Sequence, residues 1–386
     1  MQILSIHNSY QIRGGEDESW AAEVKLLSEK GHQVEIYEET NDRTEKLKAL
    51  QLAQRTIWSR ESYQIVTQKI RATGCELMHV QNFFPLISPS VYYAAQAEGV
   101  PVIQTLRNYR LLCPNALFFR QGRVCEDCLG KPVPYPGVLH SCYRQNRAAT
   151  AATAAMLVTH QGMGTWHHQV DLYIALTQFA RKKFIQGGLP PEKIVVKPNF
   201  VYPDPGVGQG EGGFALYVGR LSVEKGLDTL LAAWQLLQTP MPLKIVGDGP
   251  LADEVQAVAA RLSNVEWLGR RPMAEVHALM GQAQFLIFPS KWYETFGRVA
   301  VEAFAKGTPV VASDLGAIAE LVESGHTGVR FRPGNAADLA TKVHWMLADT
   351  QRLAAMRRAA RAEFEAHYTA ESNYQQLMRI YEQVRR

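Results

Sequence analysis

Short apolar runs alternate with amphipathic stretches along the whole chain. The first run, Gln2–His7, has Ile or Leu at three of its six positions and predicts a strand. The stretch from about residue 16 to residue 30 places Trp20, Val24 and Leu27 at spacings of four and three, which puts them on one face of a helix. This strand followed by a helix is the pattern that the rest of the chain repeats.

The remaining apolar runs predict two series of strands. The first series continues at Gln33–Tyr37, Leu77–Val80, Val102–Leu106, Leu172–Leu176 and Ile194–Val196, and the second comprises Ala215–Val218, Leu243–Val246, Phe285–Phe288 and Val310–Ala312. Helices are predicted within the second series at about residues 226–238, 252–262, 297–306 and 336–348. Strands that alternate with helices indicate parallel sheets covered on both faces, which is the α/β class.

A segment rich in Pro and Gly divides the two series. Residues 199–213 contain two Pro and five Gly and predict a linker. We therefore expect an N-terminal Rossmann-like domain over residues 1–198, with an insert at about 107–147, and a C-terminal Rossmann-like domain over 214–365. Residues 366–386 are predicted to form a helix that packs back on the N-terminal domain. Two doubly wound domains of this kind are expected to face a central cleft that holds the ligand.

The composition is that of a globular protein, with 46% hydrophobic and 20% charged residues among 386. No apolar run approaches the ~20 residues that span a bilayer, and the first residues lack the basic and apolar pattern of a signal peptide. The sequence alone thus favours a cytoplasmic protein.

The net charge of +4 is unevenly distributed. Residues 101–150 hold seven Arg and Lys against two acidic residues. Arg110, Arg120, Arg123 and Arg144 belong to this basic stretch. The stretch either faces a phosphate-bearing substrate or an anionic membrane, or it is a solvated loop. It contains no recognisable nucleic-acid-binding module, so we do not expect binding of DNA or RNA.

Two cations lie in the turn after the first strand of the second series. The turn begins at Gly219 and ends at Gly226, with Arg220 and Lys225 five residues apart between these glycines. A strand-to-helix turn with two cations favours a diphosphate, because helix N-termini and cationic side chains both attract anions. An ordinary pair of surface cations is the alternative.

Two acids follow in the same domain. Glu294 precedes a predicted helix, and Glu302 lies within it among apolar residues. A buried carboxylate needs hydrogen-bond donors, which the hydroxyl groups of a ribose could supply. A half-buried Glu that reaches solvent is the alternative. Phe296 and Gly297, directly before the helix, offer backbone N–H groups.

These segments, in this order, resemble one large family. The motifs are YVGRLSVEKG, LKIVGDGP, FPSKWYETFGRVAVEA and GTPVVASDLGAIAELV, together with the pair Gly14-Gly15 and the segment GHQVEIY near the N-terminus. They resemble the retaining glycosyltransferases of family four, also called glycosyl transferases group 1, which have the GT-B fold. The resemblance covers nearly the whole chain.

The resemblance implies a role for each matched residue. Arg220 and Lys225 would bind the donor diphosphate and stabilise it as it leaves. Glu294 would contact hydroxyl groups of the donor sugar, and Glu302 would hold the ribose. Enzymes of this kind need no catalytic metal, because the two cations neutralise the charge of the leaving group.

Backbone groups would complete the donor site that the resemblance implies. The N–H groups around Phe296 and Gly297 would cap the phosphates, and Gly219 would let the backbone approach them. Gly14 and Gly15 would let a loop of the first domain approach the diphosphate.

The chain departs from the family pattern after the fourth strand. Many relatives have a His there that contacts the donor sugar, whereas this chain has Arg107 or, if the alignment shifts by one residue, Asn108. An Arg cannot act as a general base near pH 7. The contacts to the donor sugar could therefore differ here.

Four of the five cysteines cluster in the insert. Cys113, Cys125, Cys128 and Cys142 have the spacing C-x11-C-x2-C-x13-C, which suits a structural zinc ion. His140 could replace one ligand. The alternative is four ordinary thiols.

The resemblance predicts transfer of a sugar from a UDP- or GDP-linked donor to a glycan or a lipid-linked acceptor. It places the acceptor mainly on the first domain, where four arginines of the basic stretch would bind it: Arg110, Arg120, Arg123 and Arg144. Such a reaction belongs to the synthesis of cell-surface polysaccharide or glycolipid, and peripheral contact with an anionic membrane would suit it. The alternatives are a sugar-nucleotide epimerase or phosphorylase on the same fold, or an inactive protein that binds nucleotide sugars.

Overall fold

The computed structural model describes residues 1–237 and 241–385. The described chain divides into two compact units. The first unit comprises Met1–Phe118, Cys125–Asn199 and the chain from Asn373 onward. The second comprises Phe119–Val124 and Phe200–Ser372.

A six-stranded sheet forms the centre of the first unit. Its strands are β1 (Gln2–Ser9), β2 (Gln33–Thr40), β3 (Leu77–Val80), β4 (Val102–Leu106), β7 (Leu172–Ala175) and β8 (Ile194–Val196). They run in the order β2-β1-β3-β4-β7-β8, and every neighbouring pair is parallel. The strands β5 (Phe119–Arg120) and β6 (Arg123–Val124) form a separate antiparallel hairpin, which groups with the second unit.

Eight helices connect these strands. They are α1 (Gly15–Glu29), α2 (Ala49–Ile57), α3 (Arg60–Thr73), α4 (Ser90–Ala97), α5 (Tyr135–Leu139), α6 (Arg147–Gly162), α7 (Thr165–His168) and α8 (Gln178–Gln186) among the described residues. Short 3-10 turns lie at Asn41–Lys46 and Pro191–Lys193.

The second unit has its own parallel sheet of six strands. They are β9 (Ala215–Val218), β10 (Leu243–Val246), β11 (Val265–Gly269), β12 (Phe285–Phe288), β13 (Val310–Ser313) and β14 (Gly328–Phe331). The order β11-β10-β9-β12-β13-β14 is the third-second-first-fourth-fifth-sixth order of a Rossmann fold. In this order the strand sequence reverses between β9 and β12, and ligands of such folds bind beyond the carboxyl ends of the strands at that point.

The helices of the second unit follow its strands. They are α9 (Leu227–Leu236), α10 (Ala252–Ala259), α11 (Met273–Gln282), α12 (Arg298–Ala305), α13 (Gly316–Leu321), α14 (Ala336–Leu347) and α15 (Thr350–His367) among the described residues. A 3-10 turn at Val223–Lys225 precedes α9. The helix predicted over residues 226–238 thus ends at Leu236, and Gln238 lies outside the described residues.

The glycines of the predicted linker serve close packing. The amide of Gly208 donates to the carbonyl of Lys306, and the amide of Gly210 donates to that of Gly281. A Cβ on Gly208 would lie 2.1 Å from the Cα of Gly281, so no larger residue fits there. Arg357 also donates to the Gly208 carbonyl at 2.9 Å. This part of residues 199–213 therefore lies against the second unit and does not form a loose tether.

The last helix, α16 (Ala370–Val384), completes the core of the first unit. Its buried residues Leu377, Ile380 and Tyr381 pack with Ile3 and Leu77 of the central sheet. Arg386, the end of the helix predicted over residues 366–386, lies outside the described residues. Within the described ranges, no helix is both long and apolar enough to cross a membrane.

Candidate active site

The turn after β9 carries the first candidate residues, and glycines fix its shape. Gly226 has φ +74°, and a Cβ at this position would lie 2.0 Å from the carbonyl oxygen of Pro289. Only glycine combines that backbone angle with that contact. Pro289 follows β12, so this contact joins the loops at the carboxyl ends of β9 and β12.

The neighbouring loop after β10 packs as closely on the same turn. A Cβ on Gly247 would lie 1.9 Å from the carbonyl oxygen of Gly219. The amide of Leu221 donates to the carbonyl of Asp248 at 2.9 Å. The hydroxyl of Tyr217 donates to the carbonyl of Arg220 at 2.9 Å. The backbone around Gly219 and Arg220 is therefore held from two sides.

The two cations of this turn differ in their surroundings. The Arg220 side chain is exposed and forms no ion pair with any residue that the structure describes. Lys225 is half-buried, and its ammonium group donates to Oε1 of Glu294 at 2.7 Å. It also lies 5.2 Å from the centre of the Trp292 ring. The structure thus brings the Lys225 and Glu294 of the sequence prediction into direct contact.

Glu294 is fixed by several donors in addition to Lys225. Its Oε1 atom accepts hydrogen bonds from Ser290 Oγ and Trp292 Nε1, each at 2.9 Å. The residue is 8% exposed. The sequence analysis did not predict Ser290 or Trp292 as part of the site, although both lie within four residues of Glu294.

Glu302 has a partner of its own in the protein. It is 2% exposed, and its Oε1 atom accepts a hydrogen bond from Arg298 Nε at 2.7 Å. Arg298, one helical turn earlier, thus supplies one donor to this buried acid, and the contact of Glu302 with a ribose stays a prediction. The i, i+4 spacing of the two residues could have revealed this pair in the sequence.

The start of α12 has the geometry of an anion-binding site, but α12 is a short helix. The Phe296 side chain is buried, Gly297 has φ +118°, and the helix begins at Arg298 without a side-chain cap. The side chains of Ile318 and Leu321 lie 3.2 Å and 3.1 Å from the position of a Gly297 Cβ. A larger residue at Gly297 would therefore be strained by the backbone angle and would press on these two side chains.

In the first unit, the Gly14-Gly15 loop is anchored by a buried acid. Asp17 accepts hydrogen bonds from the amide of Gly14 at 2.8 Å and from His7 Nε2 at 2.9 Å. Burial raises the pKa of the Asp17 carboxyl, but these hydrogen bonds outweigh it and lower the pKa below its ordinary value. Gly14 is extended, with φ −130°, and open space surrounds it.

Arg107 and Asn108 follow β4 and face different partners. Arg107 is 7% exposed and donates to Gln81 Oε1 at 2.7 Å and to Asn199 Oδ1 at 3.0 Å. Asn108 Nδ2 lies 3.4 Å from both carboxylate oxygens of Glu16, the residue after the glycine pair. The structure thus brings Asn108 together with the loop that contains Gly14 and Gly15.

A buried polar network supports Arg107. Gln81 donates to Glu23 at 2.6 Å, and Lys197 donates to the same carboxylate at 3.3 Å. Burial raises the pKa of Glu23, but Lys197 and His79 outweigh it, and the pKa falls to about 2. Burial lowers the pKa of His79 to about 4, so this His is neutral at pH 7. The network involves residues far apart in sequence, which the sequence analysis could not pair.

The four arginines predicted for the acceptor side lie in different environments. Arg110 is half-buried in the first unit, and Arg144 is exposed. Arg120 and Arg123 lie opposite each other on the β5-β6 hairpin. The guanidinium of Arg110 packs on two aromatic rings, those of Phe84 and Tyr143.

The cysteines of the insert lie near one another without forming a ready metal site. Cys113, Cys125 and Cys142 all act electrostatically on Cys128, whose thiol pKa burial raises to about 12. Within the described ranges, no three Cys, His, Asp or Glu side chains have an arrangement that could hold a metal ion. The present positions of the four sulfur atoms therefore do not fit a bound zinc ion, and the zinc site stays a prediction.

Comparison with known families accounts for nearly the whole chain. Residues 14–204 match Glycosyltransferase Family 4, and residues 207–363 match Glycosyl transferases group 1. The chain belongs to this glycosyltransferase family. The match confirms the resemblance that the sequence motifs indicated.

Curated relatives match part of the chain. Glycogen synthase of Mycobacterium tuberculosis is 40% identical over 153 residues, which cover 38% of this chain and 36% of the relative. The D-rhamnosyltransferase WbpZ of Pseudomonas aeruginosa is 34% identical over 161 residues, which cover 41% and 42% of the two chains. The chain thus spans about two fifths of the length of these relatives.

Solved structures share the fold over the full length. The HepE protein of Anabaena, crystallised in complex with UDP, has a TM-score of 0.71 and 21% identity, covering 99% of this chain and 100% of its own. Sucrose-phosphate synthase of Thermosynechococcus elongatus has a TM-score of 0.72 and 16% identity over 99% and 98% of the two chains. These similarities confirm the predicted α/β class with two Rossmann-like domains of the GT-B fold.

Proposed function

We propose that this chain is a retaining glycosyltransferase that transfers a sugar from a nucleotide-diphosphate sugar to a glycan or a lipid-linked acceptor. The observation that carries the proposal is the group at the carboxyl ends of β9 and β12. There the exposed Arg220 lies on the same glycine-bounded turn as Lys225, and Lys225 bonds to Glu294. Cations beside a fixed carboxylate suit a ligand with a diphosphate at one end and sugar hydroxyls at the other.

The proposed reaction follows from these charges. The bond between C1 of the donor sugar and the phosphate oxygen breaks, and its electron pair leaves with the nucleoside diphosphate. Arg220 and Lys225 stabilise that negative charge, so no metal ion is required for the step. The acceptor hydroxyl oxygen bonds to C1 on the face that the phosphate leaves, and its proton passes to the departing phosphate. The configuration at C1 is retained.

The Lys225–Glu294 bond implies an exchange of partners when the donor binds. In the protein alone, Glu294 Oε1 accepts from Lys225, Ser290 and Trp292. A donor diphosphate would compete for the ammonium group of Lys225, while Ser290 and Trp292 keep the carboxylate in place. Glu294 would then have capacity to accept from a sugar hydroxyl.

UDP-glucose is the first donor to test, because HepE was crystallised in complex with UDP and with UDP-glucose. The experiment measures UDP release from UDP-glucose, and GDP release from GDP-mannose, without and with a mixture of glycan acceptors. Release by the native protein that falls in a Lys225→Ala variant supports the proposal. A protein that binds and hydrolyses neither donor, nor any other in a panel of nucleotide sugars, would contradict it.

The acceptor is proposed to be a polyprenyl-diphosphate-linked glycan at an anionic membrane surface. Support comes from the segment around α5, where Val133, Tyr135 and Leu139 are 48–58% exposed. Lys131 lies 5.8 Å from the Tyr135 ring, and Arg144 is exposed nearby in the sequence. Apolar and aromatic side chains flanked by cations are typical of surfaces that lie on anionic lipid.

Vesicle binding tests the membrane part of this proposal. Vesicles with anionic lipid should bind the native protein more tightly than neutral vesicles, and a Val133→Ser/Leu139→Ser variant should lose this binding. The charge reversal of Arg120 and Arg123 should raise the KM for the acceptor without a change in donor affinity. Equal binding to both vesicle types together with unchanged acceptor kinetics would leave the basic stretch as a solvated loop.

A further inference from the structure

Arg110 occupies an unusual place for a cation. It lies in the loop after β4, and its guanidinium carbon is 4.1 Å from the centre of the Phe84 ring and 4.8 Å from that of Tyr143. Both distances are within the ~6 Å range of cation–π contacts. The two rings contact each other edge-to-face, with centroids 5.5 Å apart, so the guanidinium packs beside the pair. Its other side is left to hydrogen-bonding partners.

The hydrogen bonds of Arg110 are incomplete. One terminal nitrogen donates to the carbonyl of Pro114. The Nε atom is buried and has no hydrogen-bond acceptor among the described residues. Within the same part of the chain, no carboxylate lies within ion-pair distance of Arg110. A buried N–H group without an acceptor is costly, so this one calls for an explanation, and a bound anion would supply the missing acceptor.

The acid with which Arg110 could have paired is engaged elsewhere. Glu16 accepts a hydrogen bond from the Tyr10 hydroxyl at 3.0 Å and lies 3.4 Å from Asn108 Nδ2. It acts on Arg110 only at longer range. Arg110 therefore keeps its charge without a direct counter-ion from the described chain.

A small cavity opens beside this cation at the carboxyl ends of β3 and β4. Its lining includes Asn82, Phe84, Arg107, Asn108 and Arg110, and no acidic residue lines it. The cavity has a volume of about 20 Å³, slightly more than the ~10–15 Å³ that one water molecule requires. Two cations and several amide groups around a space of this size favour a single small anionic group, with the rest of its molecule outside the cavity.

We propose that this pocket binds an anionic group of the acceptor, a carboxylate or a phosphate, and that Arg110 is the residue that selects for it. The assignment of the ligand as an acceptor depends on the proposed function, whereas the anion site itself is inferred from Arg110 alone. The planar guanidinium that packs beside the Phe84 and Tyr143 rings presents N–H groups in the fork that matches carboxylate and phosphate oxygens. A neutral sugar would leave the charge of Arg110 unpaired.

The test compares anionic and neutral sugars as probes. Binding of glucuronate, glucose 6-phosphate and glucose is measured by titration calorimetry or NMR with the full chain. The native protein should bind both anions at least roughly tenfold more tightly than glucose, as expected for a hydrogen-bonded charge pair. Arg110→Gln should remove this preference, and Arg110→Lys should keep part of it because the charge stays while the fork is lost. Arg147→Gln, an exposed arginine of α6, is the matched control and should bind as the native protein does.

Two further measurements separate the possible failures. UDP binding reports on the second unit, so its absence would contradict the proposed function and leave the anion preference to be judged by itself. Anionic vesicles should bind Arg110→Gln as well as the native protein, because this site is expected to take an acceptor sugar and not a lipid surface. Equal binding of the three sugars by the native protein, or an Arg110→Gln variant that keeps the preference, would overturn the inference. If Arg110→Gln does not fold, the Arg110→Lys comparison decides the same question.

Discussion

Lys225 offers the sharpest test of the proposed chemistry. Its replacement by Ala removes an ammonium group that contacts Glu294 at 2.7 Å on the turn at the carboxyl end of β9. If this group stabilises the leaving diphosphate, the loss should resemble that of one preorganised donor in an oxyanion site. Such a loss costs about 2.7–4 kcal/mol in the transition state, or roughly 10²–10³ in turnover.

The same variant should cost little folding stability. The Lys225 and Glu294 side chains are 25% and 10% exposed, so solvent screens part of their attraction. Oε1 of Glu294 keeps its hydrogen bonds from Ser290 and Trp292. We expect a decrease of about 1 kcal/mol in the free energy of unfolding, in line with an ion pair that is only partly buried.

The assay follows nucleoside-diphosphate release at saturating nucleotide sugar, and urea unfolding of the same samples measures stability. Lys291→Ala is the matched control. Lys291 lies on the loop after β12, and its ammonium group pairs with the carboxylate of Asp228 at 2.6 Å. This variant should keep its turnover. A folded Lys225→Ala protein with more than half of the native turnover would refute the assigned role, and so would an equal loss in Lys291→Ala.

Three further predictions concern stability and metal content. Buried His79 has a pKa of about 4, against ~6.5 in the unfolded chain, so the unfolded state takes up a proton first as the pH falls. The protein should therefore lose about 3 kcal/mol of unfolding free energy between pH 6.5 and pH 4. If a His79→Gln variant shows the same pH dependence in chemical unfolding, His79 is not the cause. Gly226→Ala places a Cβ 2.0 Å from the Pro289 carbonyl oxygen, whereas Gly74→Ala adds a Cβ in open space. The left-handed backbone costs about 1–2 kcal/mol at Gly74, and Gly226→Ala should lower the unfolding free energy by more than that. Equal losses in the two variants would show that the contact with Pro289 is unimportant. The zinc prediction requires about one zinc ion per chain by elemental analysis and a less stable first domain after Cys128→Ser, whereas metal-free protein of full stability would contradict it.

The sequence predicted the parts of the fold that depend on local pattern. Central strands such as Leu77–Val80 and Phe285–Phe288 were found with their observed bounds, because continuous apolar runs mark strands buried on both faces. Val265–Gly269 and Gly328–Phe331 were missed. Both are edge strands with a charged residue among four or five positions, so their pattern is weak.

The candidate site divides in the same way. The turn from Gly219 to Gly226 could be predicted because its cations and glycines are close together in sequence. The partners of Arg107 could not, since Gln81 and Asn199 lie 26 and 92 residues away. The i, i+4 spacing of Arg298 and Glu302 is enough to predict that they pair, but the family resemblance assigned Glu302 to the ribose instead.

The completion of the first unit by α16 has a consequence for the order of events during synthesis. The first 199 residues leave the ribosome with a sheet whose apolar face lacks Leu377, Ile380 and Tyr381. The ammonium group of Lys197, which is 1% exposed in the finished protein, then lacks the oxygen of Asn373 that accepts from it at 2.9 Å. About 170 residues of the second unit follow, which takes roughly 10–35 s at a rate of ~5–20 residues per second. The nascent first unit lacks its last helix for that time and exposes apolar surface to chaperones, whereas every strand of the second unit has been synthesised before α16 emerges.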